Sequence, residues 1–276
     1  MTLSERQLHT IAREIRKDVV RMHRTGSNVG SAMSAVDILT VLYFDRMHLP
    51  SPEDPARDRF ILSKGHAAAA LYATLAQKGF IERSALSSFL ADGSPLMGHP
   101  CAGVVPGVEF STGSLGHGLA ITVGMAMAAR HDGEKHRFYV LMGDGELQEG
   151  TVWEAAIQAA RLGLDAVTAV VDANDHQGYG RVGEIQPVET LARRFEAFGW
   201  AAIEVDGHDP AQLAETFART PFEPGKPSVL IARTRLGKGV SEMEDKLGWH
   251  YFSVPEDKVD AFVRELDENR TSNRER

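Results

Sequence analysis

The chain has 276 residues, 43% hydrophobic and 25% charged, proportions of a globular protein rather than a disordered one. Acids outnumber bases 38 to 30, for a formal net charge of -8, and no Lys/Arg run forms a basic stripe, which argues against a nucleic-acid partner. One cysteine, Cys101, excludes an internal disulfide and a cysteine-based zinc site. The N-terminus lacks the apolar core of a signal peptide, and no stretch approaches the roughly 20 apolar residues of a membrane span. A soluble, cytoplasmic protein with no membrane partner is expected.

From the N-terminus, Ser4 and Gln7 form a capping box, and Leu8, Ile11, Ile15, Val19 and Met22 share one face, so residues 4–21 read as a helix. A second helix is expected from about Ser34, capped with Asp37, through AVDILTVLYFDRM to the prolines at 50, 52 and 55. FIL at 60–62 reads as a buried strand ending in Ser63-Lys64-Gly65-His66, and an alanine-rich helix follows at 67–79. Residues 91–118 are rich in Gly, Pro and Ser with few charges, the make-up of an ordered binding loop. A small-residue helix at 116–130 carries an Ala/Met stripe at 125–129 that reads as core packing. From residue 137 apolar strands (RFYVLM, AVTAVVD, WAAIEVDG, SVLIAR) alternate with amphipathic helices. That alternation implies an α/β fold with a parallel sheet flanked by helices. The whole chain, 1–276, reads as one domain with a frayed tail from about 267 to 276.

Ligands of open parallel sheets bind beyond the carboxyl ends of the strands. Two successive strand ends carry oxygen donors: Gly143-Asp144-Gly145, and Asp172-Ala173-Asn174. One carboxylate, one amide oxygen and one loop carbonyl suit a hard cation such as Mg²⁺ that shares substrate phosphates. The glycines on either side of Asp144 let a diphosphate approach the backbone, and a helix starting near Glu149 aims its amides the same way. His131, His136 and His208 read as packing or capping residues.

GDGELQEG followed by DAND resembles the thiamine-diphosphate motif: GDG, an intervening helix and strand, then Asn. More narrowly, the chain resembles the N-terminal, diphosphate-binding portion of transketolases over about residues 5–253. SAVDILTVLYF, SKGHAAAALYA, VPGVEFSTGSLGHGLA, EVDGHD and RTRLGKGVSEMEDKLGWH support it, in the right order. The resemblance implies the thiamine-diphosphate-binding fold and thiamine diphosphate as cofactor, held with Mg²⁺ or another divalent cation such as Ca²⁺ or Mn²⁺. By the same resemblance Asp144, Asn174 and the carbonyl of His176 match the metal ligands. Gly143, Gly145 and Glu146 lie at the diphosphate. Gly113, Ser114 and Leu115 match the loop beside the aminopyrimidine. Glu149 matches a glutamate at the domain contact, and His66, His99 and His250 match histidines lining the cofactor and substrate channel.

The implied reaction is transfer of a two-carbon ketol unit from a ketose or ketose phosphate to an aldose acceptor. In the family the activating glutamate lies on a following domain. The resemblance therefore implies the small subunit of a split transketolase, inactive without a separate C-terminal subunit, with an α2β2 assembly expected. One departure stands out: in Thr25-Gly26-Ser27-Asn28-Val29-Gly30, Asn28 occupies a position where the family has histidine. Asparagine hydrogen-bonds but exchanges no proton near neutral pH, so a different proton route or a different donor sugar is expected. Two alternatives stand beside this reading. One is a subunit of a 2-oxo-acid dehydrogenase or a deoxyxylulose-phosphate synthase. The other is a non-catalytic module that binds the cofactor or a partner.

Overall fold

The computed structural model describes residues 3–24 and 26–272. Thr25 and positions 273–276 of the expected tail lie outside the described residues.

Five strands form one parallel sheet: β1 (Arg59–Leu62), β2 (Phe138–Gly143), β3 (Val167–Ala173), β6 (Ala201–Asp206) and β7 (Ser228–Arg233). Their order is β1-β2-β3-β7-β6, and every neighbouring pair runs parallel. The apolar runs in β2 and β3 are buried on both faces, as a parallel sheet between helix layers requires. Alternate residues serve opposite cores. Tyr139, Leu141 and Val170 face the layer of α1 (Glu5–Met22), α2 (Val29–Val41), α3 (Ala68–Lys78), α7 (Pro210–Ala218) and α8 (Glu256–Ser272). Phe138, Val140, Met142 and Val171 face α4 (His117–Asp132), α5 (Gly150–Arg161) and α6 (Leu191–Ala197).

The first half of the chain departs from expectation in one place. α2 starts at Val29, behind Asn28, and Ser34 is a wholly buried interior residue rather than a cap. Its hydroxyl donates to the Ser31 carbonyl and to Asp172. Asp37, expected at the same cap, instead accepts from Arg16 and His208. The stripe at 125–129 is only half core: Ala126 and Ala129 are buried, whereas Met127 and Ala128 face outward. The loop after β3 carries a short antiparallel hairpin, β4 (His176–Gln177) and β5 (Gly180–Arg181). At the C-terminus, residues 267–272, expected to fray, continue α8, which packs on α1 through Val259, Phe262 and Leu266.

Candidate active site

The register pairs Gly143 with Asp172, so the loops leaving β2 and β3 emerge side by side at the carboxyl edge of the sheet. They are stitched together. The Asp175 amide, next to Asn174, donates to Asp144 Oδ2 at 2.6 Å, and the Gly145 amide donates to Asp144 Oδ1 at 2.9 Å. Gln186 Nε2 donates to the Asp144 carbonyl at 2.9 Å. Asn174 is equally fixed. Its Nδ2 reaches Ser34 Oγ and Asp172 Oδ2, both at 3.3 Å, and its Oδ1 accepts from the His176 amide at 2.9 Å. The two strand-end residues singled out in the sequence therefore share one rim.

Asp172 lies beneath that rim; in the sequence it reads only as part of the strand end. Fully buried, its carboxylate forms an ion pair with Lys64 and accepts from Ser34 at 2.6 Å and from Thr234. Burial would raise its pKa, but the Lys64 charge and these hydrogen bonds hold it below the usual carboxylate range. Asp144 has no such ion pair among the described residues. Burial, then the neighbouring Asp172 charge, push it up to about 7. Glu146 turns inward and is buried. Ser63 and the Gly116 amide donate to one of its oxygens, and the Gly143 amide to the other, so it ties together three loops around the site. Burial raises its pKa against those hydrogen bonds.

The histidines converge beside this rim. His66 follows β1, with Nε2 3.0 Å from Ser31 Oγ, and its ring stacks on His250 with centroids 5.9 Å apart. The Asn28 amide donates to the His250 carbonyl at 3.1 Å. Burial, then Lys64, His250 and His99, set His66 well below its ordinary pKa; burial also lowers His250. Two glycines let the loops here approach one another. A β-carbon on Gly65 would lie 3.0 Å from the Gly113 nitrogen, and one on Gly113 would lie 3.4 Å from the His99 ring. His99 itself is exposed, as are Ser114 and Glu149, while Leu115 is half-buried. Asn28 sits at φ 70°, a left-handed conformation that asparagine tolerates, and its side chain donates to Ser27. The Tyr251 ring, with its centroid 5.6 Å from that of His250, is exposed, as is Phe252, the next residue.

Residues 4–272 match the family model described as transketolase, thiamine diphosphate binding domain. This chain belongs to the transketolase family. It is 42% identical over 243 residues to a Phocaeicola vulgatus protein named as a subunit of apulose-4-phosphate transketolase, covering 87% of this chain and 86% of that one. A protein of the same name from Actinobacillus succinogenes is 40% identical over 271 residues, covering 96% and 97%. Among solved structures, transketolase from Campylobacter jejuni superposes with a TM-score of 0.83 at 31% identity, over 96% of this chain. The chain spans 43% of the length of that structure. The sheet flanked by helices is thus the thiamine-diphosphate-binding fold of transketolases.

The site's residues suit the cofactor this family domain binds. Asp144 is a buried carboxylate that pairs with no cationic side chain among the described residues, and Gly143 has open space where a side chain would stand. Thr112 Oγ1 and Gln177 Nε2, both beside the loops described, are buried polar atoms without a hydrogen-bond partner among the described residues. Among the described residues no group of three or more His, Cys, Asp or Glu is arranged to hold a metal ion. A site of one carboxylate, one amide and one peptide carbonyl needs only one such side chain. Lys64, Asp172, Ser34 and Thr234 were not singled out as site residues from sequence; the strand-end position of Asp172 and the Lys64 of SKGH were the available signals.

Proposed function

We propose that this chain is the N-terminal subunit of a split transketolase. With a separate C-terminal subunit it moves a two-carbon ketol unit from a ketose or ketose phosphate to an aldose acceptor. Thiamine diphosphate, when bound, supplies the nucleophilic carbon and the electron sink. Asp144, Asn174 and the His176 carbonyl hold the divalent cation, Mg²⁺ or a substitute, and the backbone at Gly143 and Gly145 faces the diphosphate. The amides at the start of α5 favour that anion. Gly113, Ser114 and Leu115 flank the aminopyrimidine. His66, His99 and His250 hydrogen-bond sugar hydroxyls and pass protons between them. Burial lowers the pKa of both His66 and His250 and so favours their neutral forms, each with one ring nitrogen free to accept a hydrogen bond. Asn28 hydrogen-bonds in the same channel without titrating.

The observation that carries this reading is the 2.6 Å hydrogen bond from the Asp175 amide to Asp144, which brings the Asp144 carboxylate beside the Asn174 loop. Exposed Tyr251 beside His250, and exposed Glu149, favour a partner seated over the site, and two relatives matched over 86% and 97% of their length are themselves named as transketolase subunits. We infer an α2β2 assembly acting in the cytoplasm; among the described residues no helix is long and apolar enough to cross a membrane. The relatives' names make a sugar phosphate the donor to try first. The test mixes the chain with its C-terminal companion, thiamine diphosphate and Mg²⁺ and follows ketol transfer. Transfer requiring both subunits is expected; full turnover by this chain alone would refute the split assignment.

A further inference from the structure

Gln177 is the residue after His176 on β4, and its side chain packs against Gly145. A β-carbon on Gly145 would lie 3.0 Å from Gln177 Cβ and 3.2 Å from Oε1. Gln177 Nε2 is buried without a hydrogen-bond partner among the described residues. The side-chain oxygens of the adjoining loops already hold partners: both Asp144 oxygens take backbone amides, and Asn174 Oδ1 takes the His176 amide. A carboxamide has two N–H donors, and donors left unpaired away from water are rare in folded proteins because each is costly. The carboxamide as a whole borders Gly145, its Cδ 3.7 Å from that β-carbon position, so Nε2 on the same group lies at the edge of the space in front of the Gly145 backbone. An anion set against the Gly145 backbone would supply the missing acceptor.

The geometry points to Gln177 as a donor to the diphosphate of thiamine diphosphate, closing the cradle opposite Gly145. It binds and positions the anion and takes no part in bond making or breaking. As a neutral donor it grips the anion without competing for the cation. This inference rests on the cofactor reading above.

The test is calorimetric titration of the full chain with inorganic pyrophosphate in the presence of Mg²⁺. It compares the wild type with Gln177→Leu, Gln177→Glu and Asp144→Ala, and thermal melts check folding. Hydrogen bonds to charged groups are strong enough that Gln177→Leu should weaken pyrophosphate about ten- to a hundredfold. Gln177→Glu, isosteric and anionic, should weaken it further, and thiamine diphosphate should follow the same order. If both Gln177 variants bind pyrophosphate within about twofold of wild type while Asp144→Ala does not bind, Gln177 is no ligand and the cradle stands. A shifted melt with unchanged pyrophosphate affinity would overturn the inference in the same way. If the wild type binds no pyrophosphate with Mg²⁺, the cradle reading fails and this inference with it.

Discussion

Arg16→Met should destabilise the fold in a way whose pH dependence exposes the cause. Arg16 on α1 grips Asp37 on α2 with two hydrogen bonds, 3.0 Å to Oδ1 and 2.5 Å to Oδ2, and His208 Nδ1 adds a third at 2.8 Å. The Arg235 amide donates to His208 Nε2, which puts the ring proton on Nδ1, facing Asp37. Asp37 is 2% exposed, so removing Arg16 strips two of three donors from a carboxylate that water cannot reach. Two charge-assisted hydrogen bonds, or one broken buried ion pair, amount to about 3–5 kcal/mol. For a domain of this size that is roughly a 6–20 °C fall in Tm. Burial raises the Asp37 pKa, but Arg16 and His208 outweigh it and hold the group far below the usual carboxylate range. Its folded pKa is therefore depressed. Its contribution is complete above the unfolded value near pH ~4 and is lost as the pH falls through the folded value. In the variant burial acts unopposed by Arg16, so protonating Asp37 relieves the defect. The Tm gap between wild type and variant, followed by circular dichroism, should be widest near pH 7.5 and narrow toward pH 4.5. A gap below about 1 kcal/mol at pH 7.5, or one that widens in acid, would refute the reasoning.

Other expected outcomes bear on the site. Asp144→Ala should abolish the rise in Tm produced by Mg²⁺ and thiamine diphosphate, about 2.7 kcal/mol at a hundredfold excess over Kd in the wild type; an equal shift in both proteins would count against Asp144 as a ligand. Asn28→His should fold, since histidine also accepts the left-handed conformation found there, and should change the ranking of donor sugars by kcat/KM; an unchanged ranking would remove Asn28 as a specificity residue. Gly118→Ala should cost about 1–3 kcal/mol in thermal or urea melts, because its β-carbon would lie 2.9 Å from Ser63 Cα and on the Ser63 side chain; a neutral substitution would mean that α4 moves freely against the turn after β1.

The strands and helices after residue 137 were legible because each apolar run and each amphipathic face is complete within its own segment. The start of α2 was not. Val-Gly-Ser-Ala-Met at 29–33 has the look of a loop, yet all five residues are buried, and Leu236 and the Trp249 carbonyl close on Gly30. Ser34 followed by Asp37 imitates a helix cap, but their partners lie on β3, on α1 and beyond β6, at separations that local spacing does not report. α8 shows Val259, Phe262 and Leu266 at helical spacing, hidden within a strongly charged segment. The shared rim of Asp144 and Asn174 could be read because each directly follows a recognisable strand. The pairing of Lys64 with Asp172 could not, since β2 lies between their strands and 108 residues separate them in the chain.

The sealed bond between Lys64 and Asp172 has a consequence for how the site would be filled. With the Asp172 charge paired internally, a divalent ion held at Asp144 as proposed would meet at most one carboxylate charge there. Protein alone would then balance at most half of the ion and leave the rest to the phosphates. Cation and coenzyme should each dock feebly by itself and firmly in company, each raising the other's affinity by the same factor.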